Sequence, residues 1–235
     1  MKKLLSTALF ICATILCTAN EYEPTEGWPY LYEDFKPAIV YYQDGKAESA
    51  DINVHLASNI LHFTDNDKIM VVDNATRIDS VVCEDNTKLV RRGNLYVELK
   101  AHSQYVLIGT TCECDFNALG DSNGAYGTPT TVAATQNVAS FKDHGNMAAL
   151  RYKEMIADRH NTRTLPTIKR TVMVVNDRAI CQATKRGVNE LLTKEQRKDF
   201  NSFLKTNKIK WKDINSLMIV AEYLDKLVEA DTLIL

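Results

Sequence analysis

Six cysteines, five histidines and a dense run of aromatic side chains are the residues of this 235-residue chain best equipped for chemistry. A thiolate can attack a carbonyl or bind a metal, and Cys112-Glu113-Cys114 with nearby His102 offers three soft ligands. Cys-x-Cys alone falls short of the paired Cys-x-x-Cys knuckles that hold structural zinc. His55 and His62 lie seven residues apart on strand-like segments, with no acid–base partner implied by spacing. The sequence holds no G-x-S-x-G elbow, no G-x-x-x-x-G-K-[ST] loop and no H-E-x-x-H helix motif. Gly120, Gly124 and Gly127 lack the lysine that a phosphate loop requires. Asp65-Asn66-Asp67 and Asp121-Ser122-Asn123 lack the terminal Glu of a twelve-residue calcium loop and read as turns. No catalytic residue, cofactor or metal is therefore nominated. A cysteine nucleophile would need a histidine delivered by the fold.

Tyr22, Trp28, Tyr30, Tyr32, Phe35, Tyr41 and Tyr42 fall within 21 residues, seven of the chain's 19 aromatics. On an extended segment Trp28, Tyr30 and Tyr32 share one face. Exposed, that row would stack on sugar rings or seat a protein partner, since each ring has an apolar face and a polar tip. The favoured expectation is that the row covers the core of the β domain, with Trp28, Tyr30 and Tyr32 kept as candidate ligand contacts.

The elements that must position these residues come after an export leader. Met1-Lys2-Lys3 is basic, Leu4–Leu16 is nearly continuous apolar sequence, and Cys17-Thr18-Ala19 ends in small residues. That layout is a secretory signal peptide at residues 1–19, with Asn20 the expected mature N-terminus. The apolar run is short of the ~20 residues of a membrane span. Leu16 is bulky, which argues against a lipid anchor on Cys17, and no transmembrane segment is expected in the mature chain. Cleavage leaves Cys83, Cys112, Cys114 and Cys181 in an oxidising compartment, where they are candidate disulfide partners. Cys112 and Cys114 sit about 7 Å apart in extended chain, too far for a relaxed mutual bridge.

The mature chain reads as α+β. Short strand-like runs begin at Ala38–Gln43 and continue through Asp51–Leu56, Asn59–Thr64, Ile69–Val72, Ile78–Cys83, Lys88–Val90, Asn94–Lys100 and Gln104–Gly109. Asp44-Gly45, Asp65-Asn66-Asp67, Asp73-Asn74, Glu84-Asp85-Asn86 and Arg92-Gly93-Asn94 separate them as turns. The spacing predicts an antiparallel meander, as a roll, barrel or sandwich, over residues 20–110. Ile52, Val54 and Leu56 alternate, which predicts one buried face for their strand. Residues 111–146 read as a flexible connector, and residues 147–235 as an α+β region. There Met147–Asp158 is an expected helix. Thr167–Val175 and Arg178–Thr184 form a hairpin turned at Asn176-Asp177, and two or three helices close the chain. Thr193 with Gln196 predicts a capping box, and Asp213 a second cap.

With 45% hydrophobic residues and a formal charge of −2, the chain can bury a core and carries no global electrostatic signature of nucleic-acid binding. Charge is uneven: from Arg163 to Lys212 there are 13 bases against four acids. That excess suits an anionic partner, and it equally suits a solvated face.

Two stretches carry a family resemblance. Trp28-Pro29-Tyr30-Leu31-Tyr32-Glu33-Asp34-Phe35 with Ala38-Ile39-Val40-Tyr41-Tyr42-Gln43-Asp44-Gly45-Lys46 is one. Val174-Val175-Asn176-Asp177-Arg178, Ala183-Thr184-Lys185-Arg186-Gly187 and Phe203-Leu204-Lys205-Thr206-Asn207-Lys208-Ile209-Lys210-Trp211 are the other. They resemble exported β-rich proteins common in Bacteroidetes, a group that brings no activity or catalytic residues with it. The resemblance implies export and a β-rich front half. Asp79-Ser80-Val81 and Asp231-Thr232-Leu233 resemble that phylum's short O-glycosylation sites. The expected function is an exported, non-enzymatic envelope or secreted protein that binds a glycan or an envelope protein. The alternative is a hydrolase or thiol-dependent enzyme with a site between the two halves.

Overall fold

The computed structural model describes residues 22–72, 75–120, 150–160, 162–231 and 233. The leader expected at 1–19, most of the connector (121–146) and the Thr232 acceptor lie outside the described residues.

The chain is α+β, built on an antiparallel sheet. Its front part is a meander of β1 (Lys36–Tyr42), β2 (Ala47–His55), β3 (Ile60–Asp65), β4 (Lys68–Val71), β5 (Ile78–Cys83), β6 (Lys88–Arg92), β7 (Leu95–His102) and β8 (Val106–Cys114). A 3₁₀ turn at Ala75–Arg77 precedes β5. After it come β9 (Leu150–Arg151), β10 (Thr167–Val175) and β11 (Ala179–Gln182). The hairpin turns form where Asn and Asp tolerate left-handed backbone: φ is 48° and 59° at Asn66 and Asp67, and 50° and 55° at Asn176 and Asp177.

Among the described residues the sheet has eleven strands, in the order β11-β10-β8-β7-β6-β5-β1-β2-β3-β4-β9. The boundary expected at residue 110 falls inside β8, which continues to Cys114 and pairs with β10 from Val106↔Val175 to Cys114↔Thr167. Front and back regions thus share one sheet. Of the helix expected over Met147–Asp158, Tyr152–Asp158 is helical and Leu150–Arg151 pairs in the sheet opposite Ile69 and Lys68, while residues 147–149 lie outside the described residues.

Among the described residues the helices are α1 (Phe116–Gly120), α2 (Tyr152–Asp158), α3 (Lys185–Glu190), α4 (Lys194–Asn207) and α5 (Ile214–Glu229). Thr193 and Gln196 form the reciprocal capping box of α4, and Asp213 caps α5 by accepting from the Ser216 amide at 2.8 Å. Phe200, Leu217, Val220, Ala221 and Leu224 lie on the sheet against Val106, Ile108, Met173 and Val175. Asp225 ties this layer to the β7–β8 turn, accepting from Ser103 Oγ at 2.9 Å and from the Tyr105 amide at 3.0 Å.

A second core cluster gathers Ala38, Val40, Ile52, Val54, Leu61, Ile78, Val81, Leu89 and Tyr96 from six strands on one face of the sheet. None of the described residues packed against it belongs to an α-helix. The alternation in β2 predicted one buried face, but Asn53 and His55 on the other face are buried as well. The aromatic lead-in, residues 22–35, is what covers them.

Candidate functional site

The lead-in does not run extended. The Tyr30 amide bonds back to the Trp28 carbonyl at 2.9 Å, so Trp28, Tyr30 and Tyr32 cannot share one face. Trp28 (1% exposed) and Tyr30 (0%) enter an aromatic box with Phe35, Ile69 and Tyr152. The Trp28 centroid lies 5.0 Å from Tyr30 and 6.0 Å from both Phe35 and Tyr152. Tyr32 turns the other way, onto the strand cluster, with Lys36 Nζ 4.0 Å above its ring. Two of the three candidate ligand contacts are thus core, with no face free for a sugar or a partner.

Beneath the box, His55 and His62 stack in parallel at 5.1 Å. Tyr30 Oη lies 2.9 Å from His62 Nδ1, and Ser58 Oγ lies 2.9 Å from His55 Nδ1. The types and distances would suit proton transfer, but both imidazoles are buried under the lead-in, where no substrate can reach them. The pair belongs to the packing.

Asn53 fastens the lead-in down. Its Nδ2 donates to the Tyr32 and Asp34 carbonyls at 2.8 and 3.1 Å, and its Oδ1 accepts from the Tyr32 amide at 3.1 Å. The outer side of the lead-in is held by residues 159–165. Thr25 bridges Thr164, the Glu26 amide donates to the Arg163 carbonyl, and Arg163 pairs with Glu26 at 2.7 Å.

Cys83, Cys112, Cys114 and Cys181 are not joined to one another by disulfides. Cys83 sits in the strand cluster, Cys181 under the helices, and Cys112 and Cys114 beside Leu56 and Leu165, so the four candidate partners are spread over three separate clusters. Burial pushes the Cys83 and Cys112 thiols up, and Cys181 up to about 12. A nucleophilic cysteine needs the opposite shift. An aromatic disulfide reagent at neutral pH should therefore react slowly with the folded protein. It should reach Cys112, the one half-buried thiol, first and Cys181 only on unfolding. Immediate reaction of all four thiols would contradict this placement. Among the described residues no group of three or more His, Cys, Asp and Glu could hold a metal ion. Ser80, the first O-glycosylation candidate, is 6% exposed within β5 and paired with Val90, so its hydroxyl is not presented to an enzyme.

A larger concave feature lies elsewhere. A groove of about 600 Å³ opens over the face shared by β1–β4. Val40, Ala50, Ile52, Phe63 and Val72 give it an apolar floor. Its rim is charged: Arg77 Nη2 meets Asp44 at 2.6 Å, the Tyr42 hydroxyl donates to Glu48 at 3.1 Å, and Asp65 and Lys46 complete it. The Lys46 amide, with Arg77 beside it, holds the Asp44 carboxyl below the ordinary carboxylate range. That carboxylate keeps its charge and accepts hydrogen bonds, and it does not serve as a proton donor. The sequence reading missed these residues. Asp44 and Arg77 are 33 positions apart, and Asp44-Gly45 announced only a turn.

Family models, curated proteins and solved structures give no match to this chain. Among the described residues no helix is long and apolar enough to cross a membrane.

Proposed function

We propose that this is an exported, non-enzymatic envelope or secreted protein that binds a glycan in the groove over β1–β4. The carrying observation is the groove itself, with its apolar floor and its rim of paired acceptors and donors. Sugar rings present apolar C–H faces and in-plane hydroxyls. Phe63 and Tyr42 suit the first, and Asp44, Glu48 and Arg77 suit the second. The leader-like residues 1–19 and the resemblance to exported proteins of Bacteroidetes support the compartment. We read the meander as a roll, because a six-strand cluster without a helix over it fits a sheet curled on itself.

The reading is preferred over the thiol enzyme because burial raises the Cys83, Cys112 and Cys181 thiols. Asp44, pulled toward the ionised form, is unsuited to the general-acid role in a carboxylate hydrolase. Titration calorimetry against peptidoglycan fragments and neutral oligosaccharides tests it. Binding without product formation is expected, weakened roughly tenfold or more in Glu48→Ala or Arg77→Ala, the worth of one charged hydrogen bond. No glycan binding, an envelope protein as the only partner in the groove, or any turnover would overturn the reading.

A further inference from the structure

The back of the molecule carries a different chemistry. From Lys194 to Lys212 the chain has seven bases and two acids, Glu195 and Asp199. At 100° per residue Lys194, Lys198 and Lys205 fall within about 40° of one another, on the far side of α4 from buried Phe200. The turn into α5 then alternates exposed Lys208, Lys210 and Lys212 with Ile209 and Trp211, which pack on the helical core. Among the described residues none of these six lysines makes a salt bridge. Arg197 is engaged, its Nε donating to the Asn189 carbonyl at 2.8 Å. Lys194 and Lys198 are like charges at i,i+4, an arrangement that weakens a helix. A hydrophobic side chain stands exposed two residues beyond Lys212: Ile214, the first residue of α5, is 37% accessible.

We infer that this corner, the outer face of α4 with the Lys208–Lys212 turn and the start of α5, is a docking surface for an anionic lipid bilayer. Unpaired lysines on flexible stems seek phosphate headgroups, and each lysine brought to an anionic surface adds to the attraction. The exposed Ile214 distinguishes a bilayer from a nucleic-acid backbone. It gains from entering the headgroup–acyl boundary and nothing from a phosphodiester chain. The attraction is local, because at physiological salt a charge is felt over about 8 Å. The formal −2 of the whole chain therefore does not cancel it. The surface lies apart from the glycan groove and does not depend on it.

The test is co-sedimentation of the full chain with two kinds of vesicle, phosphatidylcholine alone and a two-to-one mixture with phosphatidylglycerol. Binding is expected to the anionic vesicles at low ionic strength and to be released by high salt. K194Q/K198Q/K205Q should weaken it roughly a hundredfold, while the corresponding Lys→Arg triple retains it. The replaced side chains are exposed, so melting should not change. K208Q/K210Q/K212Q, outside the helix, repeats the test should the first triple fail to fold. The apolar residues 4–16 would take the chain onto both vesicles and Lys2-Lys3 would favour the anionic one, so the difference between the glutamine and arginine triples on anionic vesicles is the readout. Equal binding to both vesicles, or equal binding of the glutamine and arginine triples, overturns the proposal. So does a DNA duplex that binds through the same lysines when anionic vesicles do not.

Discussion

Replacing Trp28 with Ala is expected to destabilise the protein by about 3–5 kcal/mol, the range for deleting a fully buried large aromatic side chain. The indole is 1% exposed, is surrounded by Tyr30, Phe35 and Tyr152, and its Nε1 donates to the Tyr32 carbonyl at 3.2 Å. The substitution removes the transfer free energy of the ring. It also leaves a void that Tyr30 cannot fill without losing its approach to His62. Domains have only about 5–15 kcal/mol in total, so the loss is a large fraction of stability. In a chain of this size it should lower the melting temperature by roughly 10 °C. Tyr41, an aromatic of the same segment but 40% exposed on β1, supplies the control. Tyr41→Ala should stay within about 0.5 kcal/mol. Urea unfolding of the two variants gives both values. A Trp28→Ala protein as stable as Tyr41→Ala would mean that the box is not packed, and would return Trp28 to the list of ligand contacts.

Local chemistry made much of this fold readable. Ile78–Cys83 and Thr167–Val175 are strands at the expected residues, because β-branched runs bounded by Asp, Asn and Gly have few other conformations open to them. The Thr193 capping box and the Asp213 cap needed only neighbours within one helical turn. What escaped were the non-local pairings. That β10 adds to β8 depends on a partner more than fifty residues away, and no periodicity within either strand records it. Leu150 and Arg151 look helical in isolation, yet β4 offers a free edge and captures them. The lead-in covers the core as expected, but not as the extended row its alternating aromatics suggest, because the Thr25–Trp28 turn folds them over. The groove was invisible for the same reason. Its floor comes from strand faces, and its rim pairs Asp44 of the β1–β2 turn with Arg77 of the 3₁₀ turn.

Asn53→Ala is expected to cost about as much as Trp28→Ala, roughly 3–5 kcal/mol, though it removes only a small polar group. Asn53 is 0% exposed, and it satisfies three backbone groups of the lead-in: the Tyr32 amide and the Tyr32 and Asp34 carbonyls. Alanine would leave those groups without their partner, at about 1–3 kcal/mol for each that stays buried. The lead-in can escape part of that penalty by lifting off the sheet, where water takes over the hydrogen bonds. Local detachment is therefore the expected response, exposing Trp28, Tyr30 and the His55–His62 pair while the α4–α5 layer stays folded. Trp28 fluorescence in a Trp211→Phe background should shift to the red well below the global unfolding midpoint. Hydrogen exchange should accelerate at Leu31 and Leu56, whose amides bond the Val54 and Pro29 carbonyls across this seam. Asn53→Asp separates the two halves of the amide. It keeps an acceptor for the Tyr32 amide, loses the donor to both carbonyls, and places a charge in the core, so it should be no better tolerated than alanine. If both variants kept the wild-type fluorescence and unfolding midpoint, the side chain would not be what fastens the lead-in, and its outer contacts to residues 159–165 would have to hold it alone.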